Sequence, residues 1–249
     1  MSPADLTSAL MCGMPIMVSA GMYCGFDFLL VQRNSQRSTR SRRDARQPRL
    51  TSLDSVPGLR VAVARSDEQL MAAHDLVRRR YARRGYLVDP SEKAQRDRSD
   101  QQITFLVASG RTAVGTLTLG LDGPAGLLAE PNYGDVIGEF RAAGHRVCEL
   151  TRLAIAENIE SKTILPALFS LAHAVGRTLH DVTHLFIEVN PRHVAFYCKV
   201  LGFAVAAGER FCERVRARSV LLKLEIVTLE ERLKALDAVV KQPLFAKAA

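Results

Sequence analysis

A mixed α/β fold, built on one central sheet of about seven strands with helices on both faces, is the architecture this sequence predicts. Two observations carry that prediction. From Gly58 onward, strand-like and helix-like stretches alternate along the chain. The early strands ITFLVA (103–108) and TAVGTLTLG (112–120) are joined by a Ser-Gly-Arg turn and form an antiparallel hairpin. Later strands are joined through helices, which permits parallel pairing and places helices over the sheet.

The elements follow in order. LRVAVA (59–64) reads as a strand, and Ser66 to Gly85 as a helix with Leu70, Ala73, His74, Val77 and Tyr81 on one side. After the hairpin, a loop with Pro124 and Pro131 leads into a short helix near Asp135 to Ala143 and then the strand VCELTRLAI (147–155). A helix over 163–179, the strand HLFIEV (184–189), a helix over 191–201 and the strands FAVA (203–206) and SVLLKLEI (219–226) come next. Leu229, Leu233, Leu236 and Val240 place an apolar stripe on a final helix that covers the sheet or meets a partner.

A length of 249 residues, 47% of them hydrophobic, supports one domain with a sizeable core. Cys12, Cys24, Cys148, Cys198 and Cys212 are odd in number and lack a C-x-x-C pair, so neither a disulfide framework nor a metal site is expected. A reducing, cytoplasmic setting fits that usage. The net charge of +8 divides into +3 on residues 1–56 and +5 on the remainder, which favours acidic partners.

Residues 1–56 read as a disordered, Arg-rich extension, and 57–249 as the folded domain including its C-terminal helix. Met11 to Val31 is apolar on average but is interrupted by Pro15, Gly13, Gly21, Gly25 and Asp27, so no spanning helix is expected. Weak membrane contact by this stretch is the alternative reading, and incidental polyanion binding that of the arginines that follow; no specific nucleic-acid site is expected.

In the stretch EVNPRHVAFYCKVLGF (188–203), Asn190 stands at an N-cap position, Pro191 at the first helical position and Gly202 at a left-handed helix end. Asn190 and Tyr197 are seven positions apart, which in a regular helix puts them on nearly one side, roughly 10 Å apart along the axis. This segment resembles the end of the GNAT acyltransferase fold. Together with GTLTLGLDGPAGLLAE (115–130) and CELTRLAIAENIESKTILPALFSLAHA (148–174), it resembles the N-acyl amino acid synthases of the FeeM type, relatives of the acyl-homoserine-lactone synthases. The resemblance spans roughly residues 58–226.

The resemblance implies a three-layer GNAT-like fold in which the pantetheine arm of an acyl thioester lies between two splayed strands, VCELTRLAI and HLFIEV. It implies transfer of a medium or long acyl group from an acyl carrier protein to the amine of an amino acid, with Tyr197 protonating the leaving thiolate. No tightly bound cofactor is implied, only the phosphopantetheine of the carrier protein, or acyl-CoA, as donor. Asn190, Thr151, Arg152 and Leu153 are the implied lining of the donor and acceptor site. CoA-dependent acetyltransferases hold a pyrophosphate with a glycine-rich loop, whereas the corresponding AENIESKT (156–163) has no glycine and two glutamates. A lactone synthase usually has a tryptophan in an early motif, and this chain has none. An acetyl-CoA-dependent acetyltransferase, a lactone synthase and a non-catalytic carrier-protein or nucleic-acid-binding module are the alternatives.

Glu149 and Arg152 are charges inside an apolar run, so each is paired or functional. Strand alternation places Glu149, Thr151 and Leu153 on one face and Arg152 on the other, unless a bulge re-aims them. Glu149 is then either the base that deprotonates the acceptor amine, directly or through water, or half of an ion pair that holds the site together. The acceptor's carboxylate calls for a guanidinium or backbone donors, and Arg152, Arg98, Arg83 and Arg84 are candidates for the guanidinium. The cluster Arg78, Arg79, Arg80, Arg83 and Arg84 reads either as a solvated helix face or as a dock for an acidic carrier protein, with Arg79, Arg83 and Arg84 as its contacts. Thr116 and Thr118 are candidates for the acyl path. His180, His184 and His193 are read as surface residues, and Cys148 and Cys198 lack an activating base.

Overall fold

The computed structural model describes residues 58–86 and 101–240. The Arg-rich extension, the domain boundary at residue 57 and the candidate Arg98 lie outside the described residues. Seven strands form one sheet in the order β1-β2-β3-β4-β5-β7-β6. They are β1 (Leu59–Val63), β2 (Gln102–Ser109), β3 (Thr112–Leu121), β4 (Val147–Ile155), β5 (His184–Val189), β6 (Ala204–Cys212) and β7 (Ala217–Glu225). Neighbours pair antiparallel except β4 and β5, which are parallel and joined by a helical crossover. The mixed sheet matches the sequence expectation.

Helix α1 (Asp67–Ala82) and helix α2 (Glu130–Ala142) cover one face. Helix α3 (Ser161–Ala174), which runs on into a π turn (Val175–Leu179), and helix α4 (Ile226–Val240) cover the other. Strand alternation sorts the core between them. Phe105, Val107, Leu117 and Leu119 belong to the α3 side, while Leu106 meets Ala73 of α1 and Phe186 and Leu221 meet Tyr133 of α2. Each such fully buried side chain contributes roughly 1.5–3 kcal/mol by leaving water. At Gly115 a Cβ would lie 2.8 Å from Ile164, so a missing side chain sets how closely α3 approaches β3.

Three elements differ from the sequence reading. Helix α2 begins at Glu130 rather than near Asp135, because Pro131 is tolerated in a first turn, where its missing N-H loses nothing. Strand β6 continues to Cys212, through a polar stretch that alternation does not reveal on an exposed edge. The segment after β5 is not a regular helix: a 3-10 turn (Pro191–His193) passes into a short α turn (Val194–Phe196) and a π turn (Tyr197–Leu201). Gly202, at φ 82°, ends it in the left-handed conformation anticipated for it.

Candidate active site

Strands β4 and β5 pair only at Val147 with His184, Cys148 with Leu185 and Glu149 with Phe186. Beyond those pairs β4 continues against β3 as far as Ile155, and β5 continues against β7 as far as Val189. The two strands therefore part company inside the sheet, and their facing edges carry main-chain groups with no ladder partner. A guest containing amides can pair with such edges.

Just past the point of divergence β4 is bulged at Arg152. Arg152 has φ 55°, and the β3–β4 register slips between Thr116 and Thr118, so one extra residue is inserted in β4. A bulge bends and twists the strand that carries it, and a non-glycine residue at positive φ stores about 1–3 kcal/mol of strain. The bulge also reverses the facing of everything after it. Cys148 and Leu150 point to the α3 side before it, and Leu153 and Ile155 point there after it. Leu153 thus does not share a face with Glu149 and Thr151 as simple alternation suggests; it is a core residue, 1% exposed.

Glu149 is buried, and its two carboxylate oxygens accept from consecutive peptide N-H groups, Leu128 at 2.6 Å and Ala129 at 3.1 Å. Burial pushes its pKa up to about 7, against the Leu128 and Ala129 hydrogen bonds and the Arg214 charge, which lower it. Opposite it in β3 stands Gly120, where a Cβ would come within 2.9 Å of the Glu149 side chain. The carboxylate therefore anchors the loop ahead of α2 while titrating near neutrality. The ion pair weighed for it from sequence is absent among the described contacts; main-chain donors take that place.

Beside Glu149 lies a cluster that sequence reading missed. Glu188 of β5, 3% exposed, accepts from Ser219 Oγ at 2.6 Å, Asn132 Nδ2 at 3.1 Å and Arg214 Nη2 at 2.7 Å. Arg214 also donates through Nη1 to the Leu128 carbonyl at 2.6 Å. The Tyr133 hydroxyl donates to the Ser219 carbonyl at 2.7 Å. For Glu188 the signal was present, a charge in the apolar strand HLFIEV, the same signal that flagged Glu149. Arg214, in a polar turn, carried none.

Tyr197 is wholly buried, with its ring edge-on to Phe196 at 5.1 Å and to Phe203 at 6.0 Å. Its hydroxyl has no hydrogen-bond partner among the described residues. Burial, and then the nearby Tyr81, holds its pKa well above the ordinary phenol value. Asn190 behaves as a cap: its Oδ1 accepts from Arg192 N at 3.2 Å and its Nδ2 donates to the Arg218 carbonyl at 3.4 Å. The irregular turns between them undo the seven-residue arithmetic, so Asn190 is tied toward β7 while Tyr197 faces the core.

His193 is 2% exposed, which corrects its reading as a surface residue. The first turn after β5 turns the His193 ring inward while Arg192 stays exposed. Thr151 Oγ1 donates to the Thr118 carbonyl at 3.3 Å, Thr116 Oγ1 donates to the Phe105 carbonyl at 3.1 Å, and the Thr118 hydroxyl meets that of Thr104 at 2.8 Å. These threonines are buried in the sheet with their hydroxyls engaged. Burial pushes the Cys148 and Cys198 thiols up, which suits neither to nucleophilic attack.

The arginines of α1 are in large part engaged. Arg80, at 2.5 Å, and Arg83 both pair with Glu157 in the loop between β4 and α3, and Arg78 pairs with Asp75. Arg79 is exposed, and Arg84 is half-buried near Tyr86 and His193. Among the described residues, no three His, Cys, Asp or Glu side chains are grouped to hold a metal, and no helix is long and apolar enough to cross a membrane.

A family model described as N-acyl amino acid synthase FeeM matches residues 72–225. No curated protein matches the chain. Among solved structures, it is similar to that of FeeM, an N-acyl amino acid synthase from uncultured soil microbes, with a TM-score of 0.64 and 24% identity over 70% of this chain and 93% of that one. It is also similar to the AHL synthase LasI, with a TM-score of 0.50 and 15% identity over 70% of this chain and 95% of that one. At these identities both speak to the fold.

Proposed function

Because the chain belongs to the family of FeeM-type N-acyl amino acid synthases, and is thus an acyltransferase, we propose that it moves a medium or long acyl group from an acyl carrier protein thioester to the amine of an amino acid. The observation that carries this reading is the parting of β4 and β5 beyond Glu149 and Phe186, together with a buried Tyr197 hydroxyl that has no hydrogen-bond partner among the described residues. An extended arm with amides suits two strand edges that lack partners.

In this reading the acceptor's ammonium first gives a proton to Glu149, directly or through water. Its carboxyl, held near pKa 7 by burial, is matched to that task at neutral pH. The freed amine attacks the thioester carbon, a C-N bond forms and the C-S bond breaks. The departing sulfur takes the Tyr197 proton, the phenolate recovers one from the acceptor nitrogen, and Glu149 releases its proton to solvent, so protons balance over the turnover. Arg152, at the bulge in β4, is the proposed holder of the acceptor's carboxylate. Thr151 and Asn190 frame the site by fixing β4 on β3 and the first turn after β5.

Support for a carrier-protein donor over CoA comes from the loop ahead of α3. It has no glycine to let phosphates near the helix, and its Glu157 is already paired with Arg80 and Arg83. The test is mass spectrometry of an organic extract from a bacterial host expressing the chain, followed by turnover of purified protein with acyl carrier protein and acyl-CoA in parallel. N-acyl amino acids made from the carrier-protein donor are the expected product. N-acetyl products alone, or dependence on free acetyl-CoA, would replace this reading with a CoA-dependent one.

A further inference from the structure

Nδ1 of His193 and the hydroxyl of Tyr197 both lack a hydrogen-bond partner among the described residues. Both side chains are shut away from solvent, at 2% and 0% exposed. A buried polar group without a partner costs about 1–3 kcal/mol, so two on one short helical segment are a feature to be explained. The irregular turns lie on either side of this pair: Val194, Phe196 and Tyr197 keep right-handed helical dihedrals, so His193 and Tyr197, four positions apart, are neighbours on one face.

The proton on the His193 ring is placed by its other nitrogen. Arg192 Nε donates to His193 Nε2 at 3.2 Å, so Nε2 accepts and the hydrogen of the neutral ring sits on Nδ1. Arg192 is held in turn by Tyr86, whose hydroxyl accepts from Nη2 and whose ring lies 5.3 Å beneath the guanidinium. Tyr86 packs edge-on to Tyr81 at 5.9 Å, and Tyr81 is the charge neighbour of Tyr197. Burial, then Arg192 and Arg84, brings the His193 pKa down to about 4, so the ring is neutral at physiological pH. Tyr197 keeps its proton as well. Both atoms are therefore donors with no acceptor among the described residues.

Four helical positions advance the axis by roughly 6 Å. In a pantetheine thioester the amide carbonyl oxygen nearest the sulfur is five bonds from it, roughly 5 Å away when extended. We propose that His193 is a donor-binding residue: with Tyr197 on the leaving sulfur, His193 Nδ1-H donates to that amide carbonyl, and the pair reads the cysteamine end of the arm. This rests on the thioester-transfer reading above, and the same end is shared by carrier-protein and CoA thioesters.

The test compares two donors with one acyl chain: an N-acetylcysteamine thioester, which has the amide, and an alkyl thioester of equal length, which lacks it. The intact protein should prefer the amide-bearing donor roughly tenfold or more, chiefly in KM, because the bond is made in ground and transition states alike. His193→Leu should lose that preference. His193→Asn, whose Nδ2 stands where Nδ1 did, should restore part of it, and His193→Gln should not. A His193→Leu protein that still prefers the amide donor overturns the inference and leaves acyl transfer standing. An intact protein inactive on both donors and on acyl carrier protein overturns the underlying function as well. A readout free of substitutions is the His193 Nδ1-H proton resonance, which should move on adding S-propyl-N-acetylcysteamine. Saturation by that thioether without movement also overturns the assignment.

Discussion

Arg214 donates to the Glu188 carboxylate at 2.7 Å with both side chains almost wholly out of solvent, 12% and 3% exposed. The same guanidinium holds the Leu128 carbonyl, while the Leu128 and Ala129 N-H groups hold Glu149. One loop is thus clamped between a carboxylate of β4 and a cation facing a carboxylate of β5. The arrangement brings two acids to neighbouring strands at the point where those strands separate, with one positive charge between them.

Removing that cation should be severe. Arg214→Met leaves Glu188 buried with hydroxyl and amide donors but no countercharge, and breaking a buried pair from one side costs about 3–5 kcal/mol. Thermal or urea unfolding should register a loss of that order. The double variant Glu188→Gln/Arg214→Met should recover much of it, since no charge is then stranded. Equal losses in the single and double variants would show that Arg214 acts mainly through the Leu128 carbonyl.

Glu149 makes a prediction with a definite sign. Its carboxyl is raised from 4.5 to about 7 by burial, so the folded state holds its proton more tightly than the unfolded chain does. Its contribution to stability is complete below pH 4.5 and is lost as pH rises through about 7, an amount on the order of 3 kcal/mol. Glu149→Gln should flatten that part of the stability profile. In turnover the same group should give an acid limb near pH 7 that the variant lacks. A limb that persists in Glu149→Gln would assign the base elsewhere and leave Glu149 the anchor of residues 128–129.

Much of this was legible in the chain. The hairpin turn, the apolar strands and the Asn-Pro and Gly-Phe punctuation around residues 190–203 specify the sheet and its connections, because local pattern and global fold agree there. What pattern does not reveal is where alternation stops. The Arg152 bulge moves Leu153 to the other face, and nothing in LTRLA marks the extra residue, since a bulge answers to the neighbouring strand. Likewise the inward turn of His193 depends on Arg192 and Tyr86 meeting from 106 positions apart, a tertiary relation invisible in sequence. Glu149 and Tyr197 were legible as candidates; the loop that Glu149 holds and the enclosure of Tyr197 were not.

Tyr197→Phe separates stability from function. The hydroxyl is buried with no hydrogen-bond partner among the described residues, so removing it relieves a cost instead of breaking a bond. Unfolding should show no loss, and a gain of about 1 kcal/mol is expected. Turnover should fall, because the leaving thiolate then lacks its proton source, and a general acid is typically worth 10²–10⁴-fold. A clear loss of stability would mean that the hydroxyl is satisfied in solution and held by the fold itself.

The arginines at the end of α1 give a test of partner binding that does not depend on the chemistry. Arg80 and Arg83 are held by Glu157, whose pKa their hydrogen bonds and charges lower, while Arg79 remains exposed. If this face receives an acidic carrier protein, Glu157 competes with it for the same guanidinium groups. Glu157→Gln should therefore lower KM for the carrier-protein donor several-fold at low salt, and ~0.5 M salt should erase the gain, since exposed charges are screened within a few Å there. Arg79→Glu and Arg83→Glu should move KM the other way, with kcat and turnover of a small N-acetylcysteamine thioester unchanged. A Glu157→Gln enzyme whose KM for the carrier donor rises would show instead that the pair props the loop ahead of α3 in its working position, and the docking face would have to be sought elsewhere.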